Sequence, residues 1–412
     1  MKKIFFTLFF SVLVAGHIPF KSFSQNETII FASDGYSMFG TLSLPPEEEN
    51  PPVIVLIHGS GPSDRNQSIP MTGSNTACLY PELQNKILKP FEDLAEDLKD
   101  QGIATFRYDK RTYTHPNRID LKKLSPADFI NDALQAVDVV KKRHDIDRNN
   151  VFVLGMSQGG NFAPVVAQKD TSIRGVISMA APARPIDSLT AWQVKNIHYQ
   201  CGDPADGDEQ EAVILDVMQD VRNGTADSNT LIMGAYPPFW YDWIRLTDTT
   251  IADFEAMQAP GLFLQGDTDF NVPHTDNHAK FQEHLTDERF SFHLFEGVNH
   301  FFTLMDDPKV PYSVSETIAG WISDEKYPTP ITAPETEKKL SISHSANHIR
   351  VQYTGAIQKI NIFDLQGREI FTENTGKEVS FLPRDHFHDG HFYIMKVTTK
   401  EGVISRNFVI PE

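Results

Sequence analysis

The chain has 412 residues, 40% of them hydrophobic and 22% charged, with a formal net charge of −18. This composition excludes a disordered chain and gives enough material for a sizeable core in two or three units. The acidic balance excludes nucleic acid and an anionic membrane surface as partners, because both need a basic face.

Residues 1–24 read as a signal peptide. Lys2 and Lys3 precede an apolar run over residues 4–15 that is too short to span a bilayer comfortably. Ser22 and Ser24 put small residues where a signal peptidase reads, which predicts cleavage before Gln25. No cysteine follows the run, and no later segment is long and apolar enough to span a membrane. The expectation is an exported, soluble mature protein. In an oxidising destination Cys78 and Cys201 either pair or remain as two buried thiols; their spacing suits no zinc site.

Residues 28–32 and 37–42 read as a hairpin about Asp34-Gly35. A proline- and glutamate-rich loop follows. Residues 53–57, Val-Ile-Val-Leu-Ile, are apolar on both faces, as central parallel strands are. Residues 89–101 carry Phe91, Leu94, Ala95 and Leu98 at helical spacing, Gly102 ends the run, and residues 103–106 form the next strand. Ser125-Pro126 opens another helix, with an N-cap serine and a proline in the first turn. Residues 151–156, 173–179, 261–264 and 290–295 are further strands. Such alternation predicts a mostly parallel sheet with helices on both faces.

The alternation breaks over residues 184–258, a long, acidic, helix-prone stretch with Trp192, Trp240 and Trp243. An insertion here sits above the strand ends, where open α/β sheets bind ligands, and reads as a cap. Its tryptophans either line an acyl pocket or pack within the cap. Residues 326–337 hold Pro328, Pro330 and Pro334 without apolar periodicity and read as a linker. Short alternating strands at 348–353, 360–363 and 392–397, separated by turn signals, make residues 338–412 a small β-sandwich. The catalytic unit is then residues 25–325.

The chemistry centres on Gly155-Met156-Ser157-Gln158-Gly159, a Gly-x-Ser-x-Gly between an apolar strand and a helix-compatible segment. This is the pattern of a nucleophile elbow, a serine on a sharp, strained turn whose glycines let strand and helix approach closely. Alone it is a weak signal. An acyl-transfer serine also needs a base, an acid to orient the base, and oxyanion donors, in the chain order Ser, acid, His. Asp267 and Asp269 both follow the strand at 261–264. Placement three residues before Val272-Pro273 favours Asp269, and an Asx-turn is the plain role for Asp267. His300, in Gly297-Val298-Asn299-His300, follows the last strand and has the best placement of fifteen histidines. His58-Gly59-Ser60-Gly61-Pro62 follows the first buried strand and supplies one oxyanion N–H from Ser60, with Gly61 next; the other comes from Gln158. His58 shapes this loop. The glycines are no P-loop, since no Lys-Ser/Thr follows. No residue pattern calls for a metal or a cofactor.

These motifs resemble the α/β-hydrolases of the dienelactone-hydrolase and acyl-peptidase branch, and within it the esterase D-type carboxylesterases. Three stretches carry the resemblance: Gly59-Ser60-Gly61-Pro62-Ser63-Asp64-Arg65, residues 107–112 (Arg-Tyr-Asp-Lys-Arg-Thr), and residues 180–185 (Ala-Ala-Pro-Ala-Arg-Pro). It spans residues 26–321 and implies the α/β-hydrolase fold with a helical cap, and Ser157, Asp269 and His300 as the triad. The chain departs from the family in a longer stretch over residues 67–87, which contains Cys78. Asp64, Arg65, Arg107, Asp109, Lys110 and Arg111 read first as a structural ion network bracing the oxyanion loop. An arginine recognising a substrate carboxylate is the alternative. Residues 360–368 and 389–394 resemble a type IX (Por) secretion sorting domain, although residues 408–412 lack its usual lysine-rich finish.

The expected function is a secreted serine carboxylesterase, extracellular or at the cell surface, with a small-molecule ester as substrate and the secretion machinery as partner. A serine peptidase or acyltransferase with the same triad, and a non-catalytic binding protein on this scaffold, are the alternatives.

Overall fold

The computed structural model describes residues 26–46, 48–323, 340–344, 348–353, 356–363, 368–377, 379–383, 387, 392–400 and 402–409. The expected leader at 1–24, the linker at 326–337, and the turns 364–367 and 389–391 of the sorting motif lie outside these residues, as do the last three of the chain. The chain divides at residue 330 into two compact units.

The first unit opens with β1 (Asn26–Ser33) and β2 (Tyr36–Ser43), an antiparallel hairpin. Asp34 and Gly35 both take positive φ, as a two-residue turn matched to strand twist requires. β3 (Val53–Ile57) follows. An excursion then holds β4 (Ile69–Pro70), α1 (Ser74–Leu79) and β5 (Ile87–Leu88). Next come α2 (Pro90–Asp100), β6 (Ala104–Tyr108), α3 (Arg111–Thr114) and α4 (Pro126–Lys141). A capping box starts α4: the Ser125 hydroxyl accepts from Ala127 N–H, and Asp128 accepts from Ser125 N–H. β7 (Val151–Met156), α5 (Gln158–Lys169) and β8 (Gly175–Met179) lead to α6 (Ile186–Cys201), α7 (Pro204–Asn223), α8 (Pro237–Asp248) and α9 (Thr250–Ala256). β9 (Gly261–Gly266), α10 (His278–His284), β10 (Phe290–Phe295) and α11 (Tyr312–Ser323) complete the unit.

One eight-stranded sheet runs β1-β2-β6-β3-β7-β8-β9-β10. β1 and β2 are antiparallel additions at one edge, and β6 to β10 pair in parallel. This is the α/β-hydrolase fold. Alternate residues of each central strand feed two cores. Val53, Val55, Val151 and Val153 face Phe129, Val137 and Phe162 of α4 and α5. Ile54, Leu56, Phe152 and Leu154 face Phe91, Leu94, Ile318 and Trp321 of α2 and α11. Burial on both faces explains why these strands read as continuous apolar runs.

Within residues 184–258, α6, α7 and α8 form the helical insertion, whereas Phe254 of α9 packs on Phe263 of β9 and returns the chain to the sheet. The cysteine pairing left open by the sequence is made. Cys78 of α1 bonds Cys201 at the end of α6, with Cα atoms 5.9 Å apart across 123 residues. The excursion is thereby stapled to the cap.

The second unit holds β11 (Leu340–His344), β12 (His348–Tyr353), β13 (Ile357–Phe363), β14 (Glu369–Asn374), β15 (Val379–Pro383), β16 (Phe392–Thr399) and β17 (Gly402–Val409). They form sheets β11-β12-β15 and β14-β13-β16-β17. Ile349, Val351 and Leu382 from the first pack with Ile360, Ile362, Met395 and Val397 from the second, which makes a sandwich.

Candidate active site

Ser157 stands between the buried strand β7 and the first residue of α5, with φ 53° and ψ −118°. A non-glycine residue rarely holds such angles without surrounding structure that fixes it. Here the Ser157 N–H donates to Met179 O at 2.8 Å and its carbonyl accepts from Gly160 N–H at 2.8 Å. The flanking glycines admit the turn. A Cβ on Gly155 would stand 2.1 Å from the Gly159 oxygen, and one on Gly159 would stand 2.2 Å from the Ile57 oxygen. The α5 N-terminus, with its positive dipole end, opens directly behind the serine.

The expected acid and base, Asp269 and His300, lie in neighbouring loops after β9 and β10. Gly266 lets them meet, since a Cβ there would lie 2.0 Å from Val298 O. Asp269 and His300 are both buried, and His300 Nδ1 lies 2.8 Å from Asp269 Oδ2. Asp269 is fully subscribed: Oδ1 accepts from Asn271 N–H at 2.8 Å and Val272 N–H at 2.7 Å, and Oδ2 also accepts from Gln265 Nε2 at 2.7 Å. Asp267 instead accepts from Gly297 N–H at 2.7 Å and braces the turn before the histidine. Asn299 shapes the histidine loop, accepting from Phe301 N–H and donating to Thr303 Oγ1. Gln265 and Asn299 stand outside the site residues that the sequence motifs mark. A glutamine inside an otherwise apolar strand, and an asparagine adjoining the histidine, were the available signals.

The loop after β3 presents Ser60, Gly61 and Pro62 to the same cavity as Ser157 and Gln158. His58 is buried and its Nε2 lies 3.0 Å from Asp64 O. Burial pushes its pKa down to about 3, so it is neutral and structural. Gly59 N–H donates to Gln67 Oε1 at 3.3 Å. Lys110 Nζ, also buried, donates to Gly59 O at 2.7 Å and Gln158 Oε1 at 3.2 Å, and lies 4.3 Å from the Phe129 ring centroid. Burial lowers its pKa to about 7.

The arginines of this region are committed elsewhere. Arg65 forks onto Asp109 through Nε (3.0 Å) and Nη2 (2.6 Å) and reaches Thr41 Oγ1. Arg107 donates to Asn66 Oδ1 at 2.7 Å. Arg111 forks onto Asp132 and bridges Asp34 and Asp128. This is a bracing network, and none of these arginines lines the cavity among the described residues.

The cavity holds about 610 Å³. Phe129, Ile186, Leu189, Phe239, Trp240 and Trp243 give it apolar walls. Trp240 and Trp243 thus serve both cap packing and lining, stacked with centroids 5.3 Å apart. The excursion reaches the other side of the site, where Tyr80 packs on Phe301, the residue after His300.

A family model described as serine aminopeptidase, S33, matches residues 86–307, more than half of the chain. The chain belongs to this family. The match takes in Ser157, Asp269 and His300 and begins after the Ser60 loop. This S33-family chain is also 29% identical over 264 residues to the esterase EstD of Thermotoga maritima, covering 63% of the chain and 57% of that protein. It therefore spans little more than half the length of that relative. Among solved structures, Est1E from Butyrivibrio proteoclasticus is 15% identical with a TM-score of 0.43, over 72% of this chain and 97% of that one. The Pyrococcus horikoshii acylaminoacyl peptidase is 14% identical with a TM-score of 0.47, over 72% and 41%. The dienelactone hydrolase of Anabaena variabilis is 14% identical with a TM-score of 0.41, over 72% and 96%.

Proposed function

We propose that this chain is a secreted serine carboxylesterase that hydrolyses small-molecule esters through an acyl-enzyme. One observation carries the reading: the 2.8 Å bond between Asp269 Oδ2 and His300 Nδ1, in loops at the carboxyl ends of β9 and β10, the same end of the parallel strands at which β7 holds Ser157 in its strained turn. A carboxylate accepting from Nδ1–H leaves the Nε2 lone pair free to take a proton.

In this reading Ser157 Oγ attacks the ester carbonyl while His300 Nε2 takes the hydroxyl proton. The oxyanion is received by the backbone N–H groups of Ser60 and Gln158, at the positive end of α5. Collapse breaks the bond to the alcohol oxygen, and His300 returns the proton to it. Water, deprotonated by His300, then attacks the acyl-enzyme, releasing the acid and restoring Ser157.

The cavity supports an apolar acyl or alcohol group. It also favours an ester over a peptide with a free amino end, whose ammonium calls for a carboxylate partner. Among the described lining residues the charged side chain is a lysine, Lys110.

Export belongs to the same proposal. The leader at 1–24 supports passage to the periplasm, and the motifs within residues 338–412 support type IX sorting to the surface or medium. The catalytic reading is tested with p-nitrophenyl acetate and butyrate. Turnover by the wild type and its loss in Ser157→Ala are expected; turnover that does not depend on Ser157 would sink the reading.

A further inference from the structure

The Gly59 carbonyl and the Ser60 N–H are opposite ends of one planar peptide unit, pointing in opposite directions. Lys110 Nζ holds that carbonyl at 2.7 Å. Fixing the oxygen fixes the direction of the N–H across the same plane. The second acceptor of Lys110 is Oε1 of Gln158, at 3.2 Å, and the backbone N–H of Gln158 is the other candidate oxyanion donor. One buried amine therefore holds the carbonyl of the peptide that carries the Ser60 N–H and the side chain of Gln158, although the first lies in the loop after β3 and the second opens α5 after β7.

We propose that Lys110 is the positioning residue of the oxyanion hole, setting the Gly59–Ser60 peptide plane and the Gln158 donor for the tetrahedral intermediate. The inference rests on the hydrolase reading above. Gln67 anchors the preceding peptide from the other side by accepting the Gly59 N–H, and so cannot orient the Ser60 N–H by itself. Lys110 needs no proton gain for this task. A neutral amine carries two N–H donors, and two acceptors face it. The Phe129 ring beneath it and the nearby Asp132 carboxylate favour the ammonium form. A lysine that merely filled the core would stabilise the ground state and the transition state equally. A lysine that aims oxyanion donors acts on the transition state alone.

The test compares wild type, Lys110→Met, Lys110→Arg and Ser157→Ala with p-nitrophenyl butyrate and an alkyl trifluoromethyl ketone. The ketone's adduct with Ser157 places an oxyanion in the hole. Active-site titration corrects for the folded fraction. In Lys110→Met, kcat falls about 10- to 100-fold, less than or equal to the loss of a whole donor, with KM within about 3-fold. Ketone affinity falls by the same factor as kcat/KM, and Lys110→Arg, which keeps N–H donors, recovers part of both. A kcat within about 2-fold of wild type, or a loss of kcat with ketone affinity unchanged, overturns the proposal. If Lys110→Met does not fold, Lys110→Gln, whose donor falls short of both acceptors, carries the same two outcomes. A wild type without Ser157-dependent turnover overturns the hydrolase reading first and this inference with it.

Discussion

Gln265 and His300 share one oxygen: both donate to Asp269 Oδ2, at 2.7 and 2.8 Å. Gln265 also donates to Val272 O at 3.1 Å, so a strand residue locks the carboxylate to its own loop. Gln265→Leu removes one of the four hydrogen bonds that fix the Asp269 carboxylate and loosens its Oδ2. Its kcat is expected to fall about 3- to 10-fold with KM unchanged, less than the loss of a direct oxyanion donor. Steady-state kinetics on p-nitrophenyl butyrate decides it, and an unchanged kcat removes Gln265 from the site.

The two acids of the loop separate by the same assay. Asp269→Asn puts an amide against His300 Nδ1 and favours the wrong imidazole tautomer, which in a serine triad costs about 10⁴-fold in kcat. Asp267→Asn keeps an acceptor for Gly297 N–H and leaves kcat within about 3-fold. The reverse order would transfer the orienting role to Asp267.

The cavity rim offers a test of apolar binding that spares the core. Leu121 lines the cavity while remaining 42% exposed. Leu121→Asp removes a contact that is the same in ground state and transition state. KM for p-nitrophenyl hexanoate rises several-fold, about the effect of one lost apolar contact of 1 kcal/mol, with kcat unchanged. A fall in kcat instead would show that this rim acts on the chemistry.

Two buried histidines set an acid limit on stability. Burial holds the pKa of His58 at about 3 and that of His278 at about 4, both below the ordinary histidine value of 6.5. Between pH 6.5 and 4 the unfolded chain therefore binds more protons than the folded one, so stability falls as pH falls through that window. Each histidine contributes at most about 1.4 kcal/mol per pH unit. Urea unfolding at pH 7, 5.5 and 4.5 measures the slope. In His278→Leu the slope is shallower, and an equal slope in variant and wild type counts against the assignment.

The staple between excursion and cap has a stability of its own to lose. In the chain-entropy model, closing 123 residues is worth up to about 5 kcal/mol. Cys78 is exposed, so mild reductant reaches the bond. The double variant Cys78→Ser/Cys201→Ser is expected to unfold at lower urea concentration than the oxidised wild type and to match the reduced wild type. No difference between oxidised and reduced wild type would mean the bond constrains nothing.

Much of the catalytic unit is legible in the sequence because its central strands are buried on both faces. Such strands stand out as apolar runs, and each is punctuated by the loop that carries chemistry. The elbow glycines are readable because the turn admits no side chain at those positions. What was not legible depends on distance through space. Asp267 and Asp269 share a loop and a residue type, and the choice rests on which one Gly266 and Val298 bring to the histidine. The pairing of Cys78 with Cys201 depends on where the excursion folds back. Lys110 sits in a run of charges that reads as one network, yet the acceptors its amine bonds are a carbonyl and an amide. In the small sandwich the sequence pattern marks three of the seven described strands, because edge strands such as β14 are half exposed and lack a clean alternation.

The bond between Cys78 and Cys201 also gives the chain a covalent topology. It closes a ring that contains Lys110 and Ser157 but neither Asp269 nor His300. The proposed nucleophile thus rides on a loop of chain tied at its neck, while the proposed acid and base hang from the tail beyond it. A single proteolytic cut anywhere between the two cysteines leaves one covalent molecule that separates into two pieces only when reduced.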